Sequence, residues 1–403
     1  MSTSPSDCLS RIDEESAPMR TEVEAWANIN SGSGNIEGLN QMLKVLRRAF
    51  SPLGEEVEEI ELPENESIGD CGETLRQLPG KALRLSCRAD ARVRVLLSGH
   101  MDTVFPPESP FQTADRLEEN VLRGPGVADM KGGLVVMLHA LRLFETTRWA
   151  KNIGWEVLIT PDEESGSPSS AGLLREAAQR NHVGLVFEPA LPGGRLAKGR
   201  MGSGNFLVLA RGRAAHVGRE FSRGKSAILA LVDFIGSIDA MNREETGVIV
   251  NVGRIRGGGP LNVVPDFATC RFNIRVETRD KEAAAFRRLR DLVADFNRRE
   301  GISLALDGGF GRPAKEVTPA LERLFSHYRD CGRDLGIDLE WQSTGGCCDG
   351  NNLSAAGLVN LDTLGVRGDF IHTDREFVYL DSLGERAKLT ALFLMKLASG
   401  EIE

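Results

Sequence analysis

Short apolar segments alternate with helix-patterned segments over most of the chain, and this alternation restricts the fold more than any other feature. Val, Leu and Ile concentrate in the short segments, while the longer segments repeat apolar residues at helical spacing. We predict strands at residues 57–62, 82–87, 93–97, 155–160 and 183–187, and helices at residues 134–144 and 171–178. This order is typical of an α/β fold in which helices cover both faces of a partly parallel sheet.

A different order of elements occupies residues 199–311. We predict strands there at residues 205–211, 248–255, 267–276 and 302–306, and helices at residues 226–241 and 281–298. The resulting β-α-β-β-α-β order is that of a ferredoxin-like α+β unit. Beyond it the alternation resumes, with helices at residues 321–335 and 383–398 and strands at residues 339–342 and 358–361. We therefore expect a mixed-sheet, helix-covered main domain in two segments, residues 1–198 and 312–403, interrupted by an inserted domain of residues 199–311.

The charge balance argues against one class of partner. The 403 residues include 49 Lys and Arg against 58 Asp and Glu, a net charge of −9, so no general basic field is available to hold a phosphate backbone. We expect no nucleic-acid partner.

The N-terminal segment lacks the apolar core of a signal peptide, and no segment approaches ~20 uninterrupted apolar residues, so we expect a cytoplasmic protein without a membrane partner. An odd number of cysteines, two of them adjacent at Cys347 and Cys348, is typical of reduced thiols.

Histidines and carboxylates follow the ends of three predicted strands. The strand at residues 93–97 leads into SGHMDT, the strand at 155–160 into PDEES, and the strand at 183–187 into EP. Ligands bind open α/β sheets beyond the carboxyl ends of the strands, so these segments are candidates for a site. GPGVADMKGG and GDFIHTD supply a further carboxylate and a second histidine. The candidate residues are His100, Asp102, Asp129, Glu163, Glu164, Glu188 and His372.

Each of these residues also has a purely structural interpretation. A lone His100 is more often bonded to a nearby acid, and Asp129 suits the N-cap of the helix that follows. The acids at residues 162–164 fit a solvated loop less well, because the strand before them is apolar to its end and adjacent carboxylates repel one another unless a cation offsets them. Together the histidines and carboxylates form the N/O donor set that binds Zn²⁺, Co²⁺ or Mn²⁺. A two-metal site about 3.5 to 4 Å wide with one bridging carboxylate accommodates this set.

Five segments, taken in order, carry a resemblance to a known family. SGHMDTVFP, GPGVADMKGG, PDEESGS, FEP and GDFIHTDREF resemble the metallopeptidase and aminoacylase family that includes carboxypeptidase G (glutamate carboxypeptidase), acetylornithine deacetylase and succinyl-diaminopimelate desuccinylase. The resemblance implies that the main domain is catalytic and that the inserted domain is the family's lid or dimerisation domain. It also implies two divalent metal ions, with Zn²⁺ expected and Co²⁺ or Mn²⁺ as alternatives.

The resemblance assigns a role to each candidate residue of the main domain. Asp129 would bridge the two ions, with His100 and Glu188 completing one ligand set and Glu164 and His372 the other. Glu163 would be the general base, adjacent to a ligand without being one. Asp102 would orient His100 without binding a metal ion itself.

The inserted domain and the C-terminal segment supply the implied substrate contacts. His216 resembles the lid histidine that reaches into the partner subunit's active site of a dimer. Asn262, Arg275 and Gly346 match positions that hold the substrate's carboxylate and carbonyl, and Arg312 resembles a further arginine for the carboxylate. The planar guanidinium fork suits that role because it pairs bidentately with a carboxylate.

The sequence therefore predicts a homodimeric, metal-dependent amidohydrolase or exopeptidase that releases an amino acid with a free carboxylate, in the manner of carboxypeptidase G. An N-acyl amino-acid deacylase of the acetylornithine type is the alternative, and a small N-acyl amino acid or short peptide is the expected substrate. Two other classes are weaker. Gly346 to Gly350 satisfies a Gly-x-Cys-x-Gly pattern, which would make Cys348 an α/β-hydrolase nucleophile. A non-catalytic binding protein would be expected to lack some of these residues.

Overall fold

The computed structural model describes residues 8–402, so the first seven residues of the N-terminal segment discussed above lie outside the described part. Numbered along the chain, the helices are α1 Arg11–Glu14, α2 Ser16–Ala27, α3 Ile36–Phe50, α4 Lys131–Glu145, α5 Ala171–Arg180, α6 Val217–Glu220, α7 Ala227–Asp239, α8 Met241–Glu244, α9 Arg279–Phe296, α10 Pro319–Asp334, α11 Asp349–Ala355 and α12 Asp381–Ser399. The strands are β1 Glu56–Ile60, β2 Asn65–Ile68, β3 Thr74–Gln77, β4 Ala82–Cys87, β5 Arg94–His100, β6 Asp115–Glu118, β7 Val121–Arg123, β8 Gly154–Thr160, β9 Val183–Val186, β10 Leu196–Arg200, β11 Gly202–Arg211, β12 Val248–Gly257, β13 Phe267–Val276, β14 Ser303–Arg312, β15 Trp341–Thr344, β16 Asn360–Leu361, β17 Gly368–Asp369 and β18 Phe377–Tyr379.

A six-stranded mixed sheet with the order β1-β4-β8-β5-β9-β16 forms the centre of the main domain. Strands β8, β5, β9 and β16 run parallel, and β4 and β1 are antiparallel additions at one edge. Side chains alternate across β5: Val95 and Leu97 enter the larger core with α2, α4 and α12, while Leu96 packs with α5 on the other face. The predicted α/β fold with both faces covered is confirmed.

The inserted domain contains a four-stranded antiparallel sheet with the order β12-β13-β11-β14. Numbered within the domain, this order is 2-3-1-4, and α7 and α9 follow strands 1 and 3 along the chain as in the predicted β-α-β-β-α-β order. Helices α7 and α9 cover one face, where Phe206 and Val208 of β11 share a separate core with Phe234 and Leu289. The opposite face is polar and carries Asn205 and Arg275 toward the main domain. The domain boundaries at residues 198 and 311 stay a prediction.

Several short elements differ from the prediction. The strand predicted at residues 302–306 continues to Arg312, and the one at 339–342 lies at Trp341–Thr344, where it pairs with β10 outside the central sheet. The hairpin β2-β3 and the small sheet β17-β18-β7-β6 were not predicted, because their strands are short and largely polar. Within residues 8–402, no helix combines the length and apolar composition needed to cross a bilayer.

Candidate metal centre

The candidate residues meet at the edge of the central sheet where the parallel strands end. His100 is the last residue of β5, and Glu163 and Glu164 follow β8. Glu188 follows β9, and Asp129 stands just before α4. The helix lies close to the strand ends here, since a Cβ atom at Gly133 would be 2.0 Å from the carbonyl oxygen of Phe187. The sheet thus gathers side chains that are far apart in sequence, and the loop between β17 and β18 adds His372.

Asp129 lies between the two histidines. Its Oδ1 atom is 3.2 Å from His100 Nε2, and its Oδ2 atom is 3.2 Å from His372 Nε2. His372 Nε2 is also 3.2 Å from Glu164 Oε2, and His100 Nε2 is 3.9 Å from Glu188 Oε1. One carboxylate therefore faces two groups of ligand atoms, which is the arrangement expected of a bridging ligand.

The donor atoms fit metal cations. One ligand atom from each of His100, Glu163 and Glu188 lies within 4.8 Å of the others, and the same holds for His100, Asp129 and Glu164. Glu164 Oε1 is buried and has no hydrogen-bond partner among the described residues. A buried anionic oxygen without a partner is costly, and a divalent cation would satisfy it.

The pKa values of several groups in the cluster depart from their usual values. Burial raises the pKa of Glu164, and it raises the pKa of Glu188 well above its usual value. Hydrogen bonds with Asp129 and Glu164 raise the pKa of His372 to about 11. Burial thus disfavours the charged form of these carboxylates, while Asp129 and Glu164 favour the protonated form of His372; metal ions at the same place would offset the negative charge instead of protons.

Asp102 connects one histidine to the acidic loop. Its Oδ1 atom lies 3.3 Å from His100 Nδ1 and accepts the Glu163 N–H at 3.1 Å, and its Oδ2 atom accepts the Glu164 N–H at 3.0 Å. The hydroxyl of Ser33 also donates to Asp102, at 2.7 Å. Asp102 therefore orients His100 and fixes the backbone of the loop that carries both glutamates.

Arg312 contacts Glu163 at the wall of a cleft. Its Nη2 atom is 2.7 Å from Glu163 Oε1 and donates to Ser167 Oγ at 2.9 Å, while Nη1 donates to Asp349 Oδ1 at 3.1 Å. Burial raises the pKa of Glu163 to about 8, although Arg312 acts in the opposite direction. The predicted substrate role of Arg312 stays a prediction: the residue lines the cleft described below, but Glu163 and Asp349 of the protein already pair with its guanidinium. The sequence indicated the arginine but not these partners.

A cleft of about 530 Å³ lies between the main domain and the polar face of the inserted domain. On the main-domain side it is lined by Asp129, Glu163, Glu164 and Glu188, which we refer to as the acidic cluster. Arg275 and Gly346 line it as predicted. Arg275 is held by three groups: Asn273 Oδ1 at 3.0 Å, the carbonyl oxygen of Gly345 at 3.1 Å and Cys347 Sγ at 3.3 Å. A substrate in this cleft would have a cation on one side and the candidate metal ligands on the other.

His216 and Asn262 are not among the described residues that line this cleft. They are close to each other in the inserted domain, where the Val217 N–H donates to the Asn262 carbonyl oxygen at 2.9 Å and His216 forms a β-bridge with Val263. The structure thus brings these two predicted residues together, apart from the cleft of their own chain.

Comparison with known proteins identifies the family. Residues 96–396 match the model of peptidase family M20/M25/M40. The chain belongs to this family. It is accordingly a metal-dependent peptidase or amidohydrolase, as the resemblance of its five segments implied.

Several members of the M20/M25/M40 family are similar over much of their length. Carboxypeptidase G2 from Pseudomonas sp. (strain RS-16) is 26% identical over 96% of this chain and 91% of its own. A succinyl-diaminopimelate desuccinylase from Maricaulis maris (strain MCS10) is 32% identical over 64% of this chain and 71% of its own. A solved dinuclear metal-binding M20 peptidase from Bacillus subtilis superposes with a TM-score of 0.67 at 14% identity, covering 96% of this chain and 99% of the other.

Glu376 is a residue of this M20 site that the sequence analysis did not single out. It is buried, and its carboxylate accepts the N–H groups of Gly126 at 3.0 Å, Ala128 at 2.9 Å and Asp129 at 3.0 Å. These bonds fix the loop that presents Asp129. The only sequence signal is its place four residues after His372, within GDFIHTDREF.

The cysteine-nucleophile alternative is not supported by the M20 site. Cys348 is buried, and burial raises its pKa well above the usual value. Its thiol lies 3.4 Å from Asp362 Oδ2, which further disfavours a thiolate. A nucleophilic cysteine needs the opposite surroundings, exposed and electropositive.

Proposed function

We propose that this M20 enzyme is a carboxypeptidase G-like exopeptidase that releases an amino acid with a free α-carboxylate. The observation that carries the proposal is the position of Arg275 across the cleft from the acidic cluster. A substrate whose carboxylate pairs with Arg275 would present its amide bond toward Glu163. The similarity to carboxypeptidase G2 over nearly the whole chain supports the same interpretation.

Two divalent ions belong to this proposal, with Zn²⁺ expected and Co²⁺ or Mn²⁺ as alternatives. His100, Asp129 and Glu188 would hold one ion, and Asp129, Glu164 and His372 the other. When bound, such ions polarise the scissile carbonyl and acidify a water molecule. Asp102 and Glu376 keep the ligand loops in position through the hydrogen bonds described above.

Glu163 is the proposed general base. Its carboxylate accepts a proton from the attacking water and later delivers that proton to the leaving nitrogen. The buried guanidinium of Arg312 holds the carboxylate in one orientation, so the base does not have to be ordered when substrate binds. Arg312 thus belongs with the base in this proposal.

The substrate's carboxylate pairs with the guanidinium fork of Arg275, and the backbone at Gly346 contributes to recognition in the same cleft. Asn262 lies apart from the cleft of its own chain, so it would reach the substrate from a second copy of the chain. Three bonds from Asn273, Gly345 and Cys347 already orient Arg275 before substrate arrives. Preordering of this kind reduces the entropy lost on binding. An N-acyl amino-acid deacylase would use the same contacts, and the similarity to a desuccinylase keeps that alternative open.

The inserted domain, taken as residues 199–311, is the proposed lid and dimerisation domain. Strand β12 is an edge of its sheet, and helix α7 lies beside it. Leu229 and Val232 of α7 and Ile249 and Ile255 of β12 are large apolar side chains more than half exposed. A second copy would cover them and pair with the free edge. His216 would then enter the partner's cleft and donate to the oxyanion.

A panel of substrates tests the proposed specificity. N-acyl amino acids and short peptides with a free α-carboxylate are compared with the same compounds as α-amides. We expect hydrolysis of the free acids, with kcat/KM at least about tenfold above the amides, because a charge-assisted Arg pair is lost with the anion. Varying the acyl group and the amino acid separately distinguishes an exopeptidase from a deacylase. Equal rates on acids and amides would contradict the role of Arg275.

A further inference from the structure

A hairpin joins the two domains at a point away from the metal ligands. Strands β2 and β3 lie within the connection from β1 to β4, but they pair only with each other and are largely exposed. We refer to residues 65–80, the hairpin and the turn that follows it, as the strap. The strap adds nothing to either core, so its contacts at the two ends determine what it does.

Asp70 attaches the tip of the strap to the inserted domain. Its Oδ1 atom accepts Arg271 Nε at 2.6 Å, and its Oδ2 atom accepts Arg254 Nη1 at 3.0 Å. The carbonyl oxygen of Asp70 accepts the Thr269 hydroxyl at 3.1 Å, and that of Ile68 accepts Arg271 Nη2 at 2.5 Å. Side chain and backbone together hold the tip against the sheet.

The inserted domain offers this carboxylate a concentrated positive charge. Arg254 and Arg271 are register partners on adjacent strands, and Arg256 Nη1 lies 3.6 Å from Asp70 Oδ2. Three guanidinium groups this close together repel one another unless an anion lies among them. The hydrogen bond from Arg271 lowers the pKa of Asp70, so its carboxylate remains charged at neutral pH.

The other end of the strap packs beside the loop that follows β8 and carries Glu163 and Glu164, which we refer to as the catalytic loop. A Cβ atom at Gly80 would lie 2.9 Å from Pro161 Cβ and 3.1 Å from Leu39 Cδ1. Pro161 begins the segment that continues into Glu163 and Glu164. Glycine is needed here because any side chain would push the strap away from the loop.

The contact on the inserted domain is on the strand that carries the substrate arginine. Arg271, Asn273 and Arg275 alternate along β13 and therefore point to the same face. Arg275 lies four positions after Arg271, which is about 13 Å along an extended strand. The strap thus spans from the loop of the general base to the strand of Arg275.

We propose that the strap sets the separation between the two walls of the cleft, and that Asp70 is a positioning residue which acts through Arg271 on Arg275. The inference rests on the proposed role of Arg275 in binding the substrate's carboxylate. Without the Asp70 contact, the strap no longer connects the segment at Pro161 to β13. Arg275 then no longer meets the carboxylate at a fixed distance.

Asp70→Asn tests the proposal, since it removes the charge and keeps the shape. Its control is Glu73→Gln, which removes a charge from the same tip but only loses a bond from the Cys71 N–H. Asp70→Glu is the conservative variant, and Arg271→Met breaks the contact from the other side. Hydrogen exchange of peptides covering residues 65–77 reports on the contact without any need for activity, and KM and kcat are measured on an N-acyl amino acid and its α-amide.

In Asp70→Asn and in Arg271→Met we expect exchange of the strap to accelerate about tenfold or more. KM for the free acid should rise about threefold to tenfold, with kcat little changed and the amide unaffected. The double variant should lose clearly less than the sum of the two single ones, because both substitutions remove the Asp70–Arg271 contact. Asp70→Glu keeps the charge, so its exchange rate and KM should stay close to those of the unchanged protein. Glu73→Gln should resemble the unchanged protein in both.

Faster exchange with an unchanged KM would show that the strap orders only itself, and it would overturn the positioning role. Unchanged exchange in Asp70→Asn would overturn the contact. A parallel loss of kcat on the acid and the amide would also overturn the positioning role, because that pattern indicates general damage to the enzyme. If the unchanged protein hydrolyses neither compound, the proposed function fails, and the exchange measurement still decides whether Asp70 holds the strap.

Discussion

Arg312 Nη2 lies 2.7 Å from Oε1 of Glu163, and both side chains are buried. The same nitrogen donates to the main-chain oxygen of Glu163 at 2.8 Å, so one guanidinium fixes both the backbone and the carboxylate of the proposed base. Asp349 balances the remaining positive charge on the other side. An arginine that the sequence suggests for the substrate is thereby committed to the catalytic loop.

Replacing Arg312 with Met should therefore lower kcat by about 10²-fold for free-acid and amide substrates alike. The effect follows from the loss of a fixed orientation at Glu163, which both substrates need. Arg275→Met is the matched comparison, and it should raise KM for the free acid while largely sparing the amide. Steady-state kinetics on both substrates separates the two arginines. A selective KM effect in Arg312→Met would return that residue to the substrate's carboxylate.

Substitution of Glu163 should affect catalysis, whereas substitution of Glu164 should affect metal binding. We expect Glu163→Gln to retain metal and lose roughly 10²-fold or more in kcat, within the range for general acid–base groups. Glu164→Gln should instead weaken the binding of one ion, since Glu164 Oε1 has no other described partner. Bound metal and kcat are measured for each variant. The opposite pattern would mean that Glu163 is the metal ligand and Glu164 is the base.

Removal of metal should abolish hydrolysis. Two divalent ions per chain are expected, and dialysis against a strong chelator should remove both ions and activity together. Adding Zn²⁺, Co²⁺ or Mn²⁺ should restore activity, because the donor set suits all three. Cys348→Ser serves as the control and should respond to the chelator in the same way. Full activity in the metal-free protein would contradict the metal assignment and renew the case for a cysteine nucleophile.

Glu376 should be needed for metal affinity without touching a metal. Glu376→Gln removes the charge that accepts three backbone N–H groups around Asp129, and partners of metal ligands typically change affinity by about 10-fold to 100-fold. Asp374→Asn removes an exposed charge from the same segment and should leave affinity unchanged. Titration with a competing chelator measures both variants. Equal affinities in the two variants would show that the Asp129 loop is held by other contacts.

Much of the fold and part of the site could be predicted because the relevant signals are local. His100 ends an apolar strand, and Glu163 and Glu188 lie within three positions of the ends of two others, so the fold alone places them at one sheet edge. Asp129 and His372 lie in loops, where no periodicity applies. Only the resemblance to a family assigns them, and the structure shows their 3.2 Å contact.

The contacts that could not be predicted join residues with no pattern between them. Arg312 meets Glu163 across 149 positions of sequence, and Glu376 meets the Asp129 backbone across 247. Asp70 reaches Arg271 from another domain, through a hairpin whose polar strands give no core signal. Such pairs depend on how domains and loops pack, which residue type and spacing do not encode locally.

The last prediction concerns the proposed dimer. His216 lies away from the cleft of its own chain, beside Asn262. If it completes the partner's site, His216→Ala should lose roughly 10²-fold in kcat, by analogy with one oxyanion donor. Glu163→Gln should be inactive for a different reason. In a mixed dimer, the chain with an intact base receives the intact histidine of the other chain.

Mixing the two inactive variants should therefore restore activity. Random exchange gives mixed dimers in about half of the population, each with one complete site, so about a quarter of the unchanged activity is expected. Native mass spectrometry of chains that differ in mass confirms the exchange before rates are compared, and each variant mixed with itself is the control. Confirmed exchange without recovery would refute the arrangement between subunits, because the base and the histidine would then have to belong to the same chain.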